Sequence, residues 1–451
     1  MLLIHVPRLT NRLGYTLNVI FRHMLRTDFE ITADKDAFEH HEGPALCYGS
    51  QRLGKGLYLR AGSLLFETNI DEQPLRPGQY EGMPTLFALR NPDSDLPFDL
   101  LAAVFYTLTR YEEYLPHITD EHGRFPATES VAYKMGFLTT PIVDRWVALL
   151  AARLAERYPQ FSHNMSGYEV EDSIDIDAAF CYKYKGLFRS LMGMGRDMIT
   201  SRGKGLLRKR LRVIWGKEED PFNSFDFILE CHKGYPAIQL LFFALMSDYN
   251  VYDMPISHLN TQFRELLQHL GDHGKMGLHA SHASYDKPSL IATERERLQE
   301  ILHRTVVRNR FHFLRFRLPH TYNNLLDAGI LHDYSMGFSE EAGFRAGTGR
   351  AFPFFDLESN METPLIIHPF AAVDSTFYRY KHATIEESEA AYRNLIDEAR
   401  AAGTTLSLVW HNQCFSGEAP CEGWRELYQR TLGYANAALA NSPNPQTPTQ
   451  R

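Results

Sequence analysis

Short apolar runs alternate with polar, turn-forming stretches along the chain, and the spacing of the runs changes character part-way. Residues 2–6 read as an opening strand. Over 98–114, Leu101, Phe105, Leu108 and Tyr111 recur at helical spacing, with Asp99, Arg110, Glu112 and Glu113 supplying polar faces, so a single helix is expected there. A second helix is expected over 141–158, with Trp146, Leu149, Leu150 and Leu154 turned inward. Near 159–167 the pattern shifts, and beyond it short apolar strands alternate with helices, as in an α/β layer or barrel. Thr293 with Glu296, and Thr384 with Glu387, each predict a capping box opening a helix, the second one closed by Gly403. A strand over 405–410 follows directly, and no internal repeat is visible.

This pattern divides the 451 residues into a smaller α+β part over 1–164, an α/β part over 165–440 and a polar, Pro-rich tail over 441–451 that is expected to be disordered. A hydrophobic share of 44% with 23% charged residues suffices for a substantial core. The net charge of −8 argues against a nucleic-acid binder. Five cysteines, with Cys414 and Cys421 too far apart for a CxxC, predict free thiols in a reducing compartment. The N-terminal residues lack a signal peptide's order, and no apolar run reaches the roughly 18 residues of a bilayer span, so a cytoplasmic location is expected. Residues 202–217 are densely basic; they read as a solvated face, or as a patch meeting an anionic substrate or a membrane surface.

Four segments carry candidate chemistry. On a strand over 168–177, Ser173, Asp175 and Asp177 share one face while Ile174 and Ile176 share the other. Two carboxylates this close raise one another's pKa unless a cation sits between them, and a metal would let one ligate while the other stays ionised as a base. The stretch Gly277-Leu-His-Ala-Ser-His-Ala-Ser-Tyr285 brings His279 and His282 to a strand end, and imidazole with carboxylate suits zinc, cobalt, nickel or iron. In 308–322, Arg310, Arg315 and Arg317 crowd among Phe311, Phe313 and Phe316, and such arginines are costly to bury without anions. The two aspartates are candidate partners. Lastly, His411 ends the strand that carries Leu406, Leu408 and Trp410, at the end where α/β barrels place catalytic groups.

These pieces, in this order, resemble the polysaccharide deacetylases, the NodB-like homology domain of carbohydrate esterase family four. The resemblance covers roughly 168–415 and rests on Asp175 and Asp177, His279, Arg317-Leu-Pro319 and His411. A subgroup of these proteins looks closer still, sharing Asp-Pro-Phe at 220–222, Asp-Tyr-Ser at 333–335, Gly-Phe-Arg-Ala-Gly-Thr at 343–348 and Trp-His-Asn at 410–412. The segments FDLLAAVFYTLTRYEEYLP, HGRFPA and PIVDRW look like the N-terminal module of unassigned function that precedes the domain there. The resemblance implies an irregular (β/α) barrel that removes an N-acetyl group from a sugar. It implies Asp177, His279 and His282 as ligands of a divalent metal, Asp175 as base, Arg317 holding Asp175 ionised, and His411 as the acid that protonates the leaving amine. Two departures stand out: Ile176 separates the aspartates, and the histidines are three apart instead of four.

The expected partner is a carbohydrate or glycoconjugate of the cell envelope. Two other classes compete. A barrel with an incomplete ligand set would bind carbohydrate without turnover. A glycosyltransferase would use Asp-x-Asp to hold a nucleotide-bound metal, but it needs a Gly-rich phosphate loop upstream, and 98–158 reads as helices without one.

Overall fold

The computed structural model describes residues 1–90, 93–185 and 203–440, so the tail expected to be disordered, 441–451, lies outside the described residues, as does the first residue of the basic segment. The chain opens with strands β1 (Leu2–His5), β2 (Phe29–Thr32), β3 (Ala45–Gly49) and β4 (Leu57–Arg60), in the order β2-β1-β3-β4. All three pairings are parallel. Parallel neighbours need crossovers, and the helical stretches after β1 and β2 supply them. The expected α+β character therefore gives way to α/β pairing, followed by a short antiparallel hairpin of β5 (Gly78–Tyr80) and β6 (Met83–Thr85).

The helix expected over 98–114 is shorter than its periodicity predicts. It spans Leu100–Leu108 with Asp99 as its N-cap, and Tyr111–Tyr114 forms a separate 3-10 turn. Arg110 breaks it with φ 53°, a conformation that points its buried guanidinium at Glu113 and at the carbonyl of Arg345. The helix expected over 141–158 is present as Ile142–Arg157. Thr384 caps the helix Ile385–Ala402 with a full capping box, and Gly403 ends it at φ 64°. The capping box expected at Thr293 does not form. Thr293 lies inside the helix Ser289–Leu302, which begins a turn earlier, after Pro288, whose φ of −56° already suits a helix.

The large sheet comprises β7 (Glu169–Ile176), β8 (Gln239–Leu245), β9 (Lys275–Ala280), β10 (Arg308–Phe311), β11 (His332–Asp333), β12 (Phe352–Asp356), β13 (Met361–Ile367), β14 (Ala372–Val373) and β15 (Thr405–His411). Its order is β12-β13-β11-β10-β9-β8-β7-β15-β14, with every pair parallel except β12 and β13. The sheet is strongly curled. Arg310 on β10 reaches Asp175 on β7 at 2.7 Å, although β9 and β8 lie between, and a flat sheet would separate these strands by about 14 Å. Irregular backbone links the two halves: the N–H groups of His368, Phe370 and Ala371 donate to the carbonyls of Asp333, Met336 and Ser407 in turn.

The first 160 residues pack on this sheet through one continuous hydrophobic core. The Gly-Phe-Arg-Ala-Gly-Thr stretch forms much of that seam. Gly343 has φ 150°, and a Cβ there would sit 2.5 Å from the carbonyl oxygen of Leu138. Arg345 forms a buried bidentate pair with Glu113, and the carbonyl of Gly347 accepts from Val143. Arg350 likewise meets Asp144 at 2.7 Å. No helix among the described residues is long and apolar enough to cross a membrane.

Candidate functional site

The strand ends β7, β9, β10 and β15 converge on one cavity, which Asp175, Asp177, His279, His312 and His411 all line. Alternation along β7 sends Ile174 and Ile176 into the apolar core and Ser173 and Asp175 inward to Arg310. The Arg310 guanidinium is fully buried. It donates to Ser173 Oγ at 2.9 Å, to Asp175 Oδ1 at 2.7 Å and to the Tyr334 carbonyl at 2.9 Å, and it lies 4.3 Å from the Phe243 ring. Asp175 Oδ1 is thus engaged, while Oδ2 lies 3.8 Å from His279 Nε2.

Asp177, His279 and His312 each offer one ligand atom, and these atoms lie within 4.8 Å of one another. The rings' hydrogen bonds leave their facing nitrogens open, while Gln413 donates to Asp177 Oδ2 at 3.3 Å and leaves Oδ1 free. His279 Nδ1 meets the Arg310 carbonyl at 2.9 Å, which fixes the proton on Nδ1 and leaves Nε2 a lone pair. His312 Nδ1 meets Asp253 Oδ1 at 2.8 Å, a carboxylate–imidazole arrangement of the kind that supports metal ligands. Both Nε2 atoms face Asp177, at 3.3 and 3.6 Å. Asp177 Oδ1 and His279 Nε2 are buried without a hydrogen-bond partner in the structure. Orphaned acceptors converging on one point are what a divalent cation satisfies, so this donor set fits a metal.

The charges are matched throughout. Burial alone would raise the Asp177 carboxyl, but the His312 and His411 rings outweigh it and hold the group well below the usual carboxylate range. Burial pulls His312 down, yet Asp177 and Asp253 lift it to about 9. Asp253 is pushed up by burial but held at about 2 by hydrogen bonds from His312, Asn250 and the His282 N–H. His411 also overcomes its burial: Asp374 accepts from its ring Nδ1 at 2.7 Å and from its backbone N–H at 2.8 Å, and with Asp177 holds it at about 10.

Of the expected residues, the fold brings together Asp175, Asp177, His279 and His411. His282 is not in the cluster. Its ring stacks on Tyr252 at 4.1 Å, and burial with nearby Arg315 lowers it to about 4. Only its backbone N–H serves the site, by donating to Asp253 at 2.9 Å. Arg317 is exposed and does not touch Asp175; it lines a different cavity beside Tyr285 and Glu358. Its expected place beside Asp175 belongs to Arg310. Sequence reasoning misses the third imidazole, His312, although alternation from Arg310 puts it on the same face of the chain. Asp253 and Asp374 carry no local signal, since each stands alone in a connecting segment.

Several motif residues hold the connections that shape the cavity. The Asp220 carboxylate accepts from the N–H groups of Cys181, Tyr182, Lys183 and Phe222, fixing the turn after β7. Asn412 donates to the carbonyls of Ala178 and Phe222 across the same turn. Ser335 accepts from Phe311 N–H and donates to Asp333, which ties β10 to β11 just below His312. The first part of the chain also reaches the cavity, through buried Arg124.

A model described as a family of unknown function, DUF7033, matches residues 2–159. No curated protein matches the chain. Among solved structures, the chain is similar to a Mycobacterium smegmatis protein assigned to the polysaccharide deacetylases, at 13% identity and a TM-score of 0.37, over 63% of this chain and 95% of that one. It is also similar to the polysaccharide deacetylase Bc1974 from Bacillus cereus, at 10% identity and a TM-score of 0.29, over 60% of this chain and 87% of that one. A third likeness is to the Xyl-CE4 domain of a multidomain xylanase from the hindgut metagenome of Trinervitermes trinervoides, at 8% identity and a TM-score of 0.28, over 61% of this chain and 84% of that one. Likenesses at this level carry no functional weight, which falls on the side-chain geometry instead.

Proposed function

We propose that this chain is a metal-dependent hydrolase that removes an N-acyl group from a sugar of an envelope polysaccharide or its precursor. One observation supports this above all: three groups with converging ligand atoms, a carboxylate poised by a buried arginine and an imidazole poised by a buried aspartate share one cavity. Asp177, His279 and His312 would hold the ion, and the donor set suits zinc, cobalt, nickel or iron. When bound, such an ion polarises the acyl carbonyl and acidifies water.

The remaining steps fall to the chain's own groups. Asp175 Oδ2 takes the proton of the attacking water, while Arg310 supplies the counter-charge and fixes the carboxylate's orientation. His411, held protonated by Asp374, hands the proton on its Nε2 to the departing amine. Aromatic walls from Phe313, Tyr378 and Tyr380 offer flat apolar surface for a sugar ring. In this reading the curled sheet is the irregular (β/α) barrel of a catalytic unit over 165–440, and 1–164 is a module that braces it.

The test is release of acetate from short N-acetylglucosamine oligomers by zinc-loaded protein, beside metal content by elemental analysis. Wild type should hold about one ion and turn over, whereas Asp175→Asn should keep the ion and lose activity. Undiminished turnover in that variant would remove Asp175 as base. A chain that binds the ion and the oligomers but hydrolyses none would leave a carbohydrate-binding barrel.

A further inference from the structure

We propose that the helix Gly203–Ile214, with Trp215, is a docking surface for an anionic lipid bilayer. Over 203–217 the sequence carries Lys204, Arg208, Lys209, Arg210, Arg212 and Lys217 and no acidic residue, within a chain of net charge −8. A cationic cluster on an otherwise acidic chain is drawn to an anionic surface, and the acidic run Glu218-Glu219-Asp220 begins only after Lys217.

The helix has two distinct faces. Its inner face is anchored: Val213 and Arg210 are buried, the Arg210 guanidinium lies 4.7 Å from the Tyr182 ring, and Lys209 pairs with Glu418. The outer face sets Leu207, Leu211 and Trp215 in a stripe at i, i+4 and i+8, flanked by Arg208, Arg212 and Lys217 around a shallow cleft. Trp215 is 65% exposed. Arg212 shares its charge with Glu218 at 2.7 Å, so Arg208 and Lys217 carry the outward charge. An apolar stripe with an indole at one end and cations beside it is the pattern of helices that lie in the headgroup region.

The placement adds to the charge match. The helix lies on the connection from β7 to β8, and the next connection, from β8 to β9, exposes Val251 (81%) and Leu259 (73%). Both connections leave the strand ends at which the cavity opens. Glu418, the partner of Lys209, belongs to the same segment as cavity-lining Gln413. The helix and the cavity therefore lie toward the same end of the sheet. That the enzyme acts there on a membrane-borne glycan rests on the deacylation reading; the docking itself does not.

The experiment is co-sedimentation of the full chain with vesicles of phosphatidylcholine, with and without phosphatidylglycerol, at low and high salt. Tryptophan emission is followed in parallel, because Trp146, Trp410 and Trp424 are buried and a vesicle-induced blue shift reports Trp215. We expect binding that needs phosphatidylglycerol and weakens with salt, and a blue shift that Trp215→Phe abolishes. Arg208→Glu with Leu211→Glu should bind at least about ten-fold more weakly with unchanged circular dichroism. Equal binding to neutral vesicles, or undiminished binding by the double variant, would overturn the proposal. So would self-association that the double variant abolishes in the absence of vesicle binding, which would assign the face to a second copy. Turnover of a soluble oligomer by the double variant separates a failure of docking from a failure of the deacylation reading.

Discussion

Arg124 donates from Nη1 to the carbonyl oxygen of Phe313 at 2.7 Å, and Phe313 directly follows His312 of the Asp177–His279–His312 cluster. Phe313 (φ 60°) and Leu314 (φ 52°) are successive left-handed residues without glycine's freedom, a conformation costing about 1–3 kcal/mol each. Something must hold it. Arg124 does so while bonded to Asp120 and to the Tyr380 hydroxyl, and Arg315 adds a bond to the His122 carbonyl. Residues 120–124, inside the DUF7033 match, thus brace the turn that positions the His312 ring. Arg124→Ala should weaken metal binding roughly ten- to a hundred-fold with little change in circular dichroism. Lysine should not rescue it, because one ammonium cannot replace a fork spanning three acceptors. Unchanged metal affinity by titration would remove Arg124 from this role.

The ligand set itself can be separated by two histidine variants. His312→Ala removes an Nε2 that faces Asp177 at 3.6 Å and should abolish tight binding of zinc. His282→Ala removes only a ring stacked on Tyr252, and its backbone N–H still serves Asp253, so about one ion per chain should remain. Loss of metal from the second variant and retention in the first would reverse the assignment.

Strand alternation made much of the centre legible in the sequence. It placed Asp175 and Asp177 away from the isoleucines and His411 at a strand end, and both placements hold in the structure. It could not choose among arginines crowded into one segment. Arg310 rather than Arg317 meets Asp175 because β10 ends at Phe311, and the left-handed pair after it turns the chain away. Nothing in the residue pattern over 308–322 signals that turn, since neither left-handed residue is a glycine. The orienting aspartates, Asp253 and Asp374, were illegible for another reason. They lie 59 and 37 residues from the histidines they hold, and only tertiary packing brings them there. At the fold level, helical periodicity extended the helix over 98–114 through Arg110, whose burial with Glu113 overrides it.

Removing Arg310 should be costly in a way that removing Arg317 is not. Arg310 and Asp175 are buried and paired at 2.7 Å, so Arg310→Met strands a carboxylate in the sheet's interior. Losing one partner of such a pair typically destabilises by about 3–5 kcal/mol. Arg317 is exposed, and Arg317→Ala should stay within about 0.5 kcal/mol of wild type. Urea denaturation of both variants decides this, and equal midpoints for Arg310→Met and wild type would contradict the pairing.

Glu294 should make stability depend on pH. It is buried in the helix Ser289–Leu302; one oxygen accepts from the Ser281 N–H at 3.0 Å, and the other has no partner in the structure. Burial raises its carboxyl to about 7, against partial opposition from the Ser281 hydrogen bonds. The unfolded chain would release this proton near the ordinary glutamate value of 4.5, whereas the folded chain keeps it to about 7. Between those values the unfolded state binds fewer protons, so the contribution is full below about 4.5 and is lost as pH rises through about 7. The loss is at most about 3 kcal/mol. Glu294→Gln keeps a carbonyl for Ser281 and never ionises. Urea midpoints from pH 5 to 8 at fixed salt should show wild type falling relative to the variant, with the gap levelling off above the folded pKa. Parallel curves would mean that Glu294 is ionised in the folded chain throughout this range.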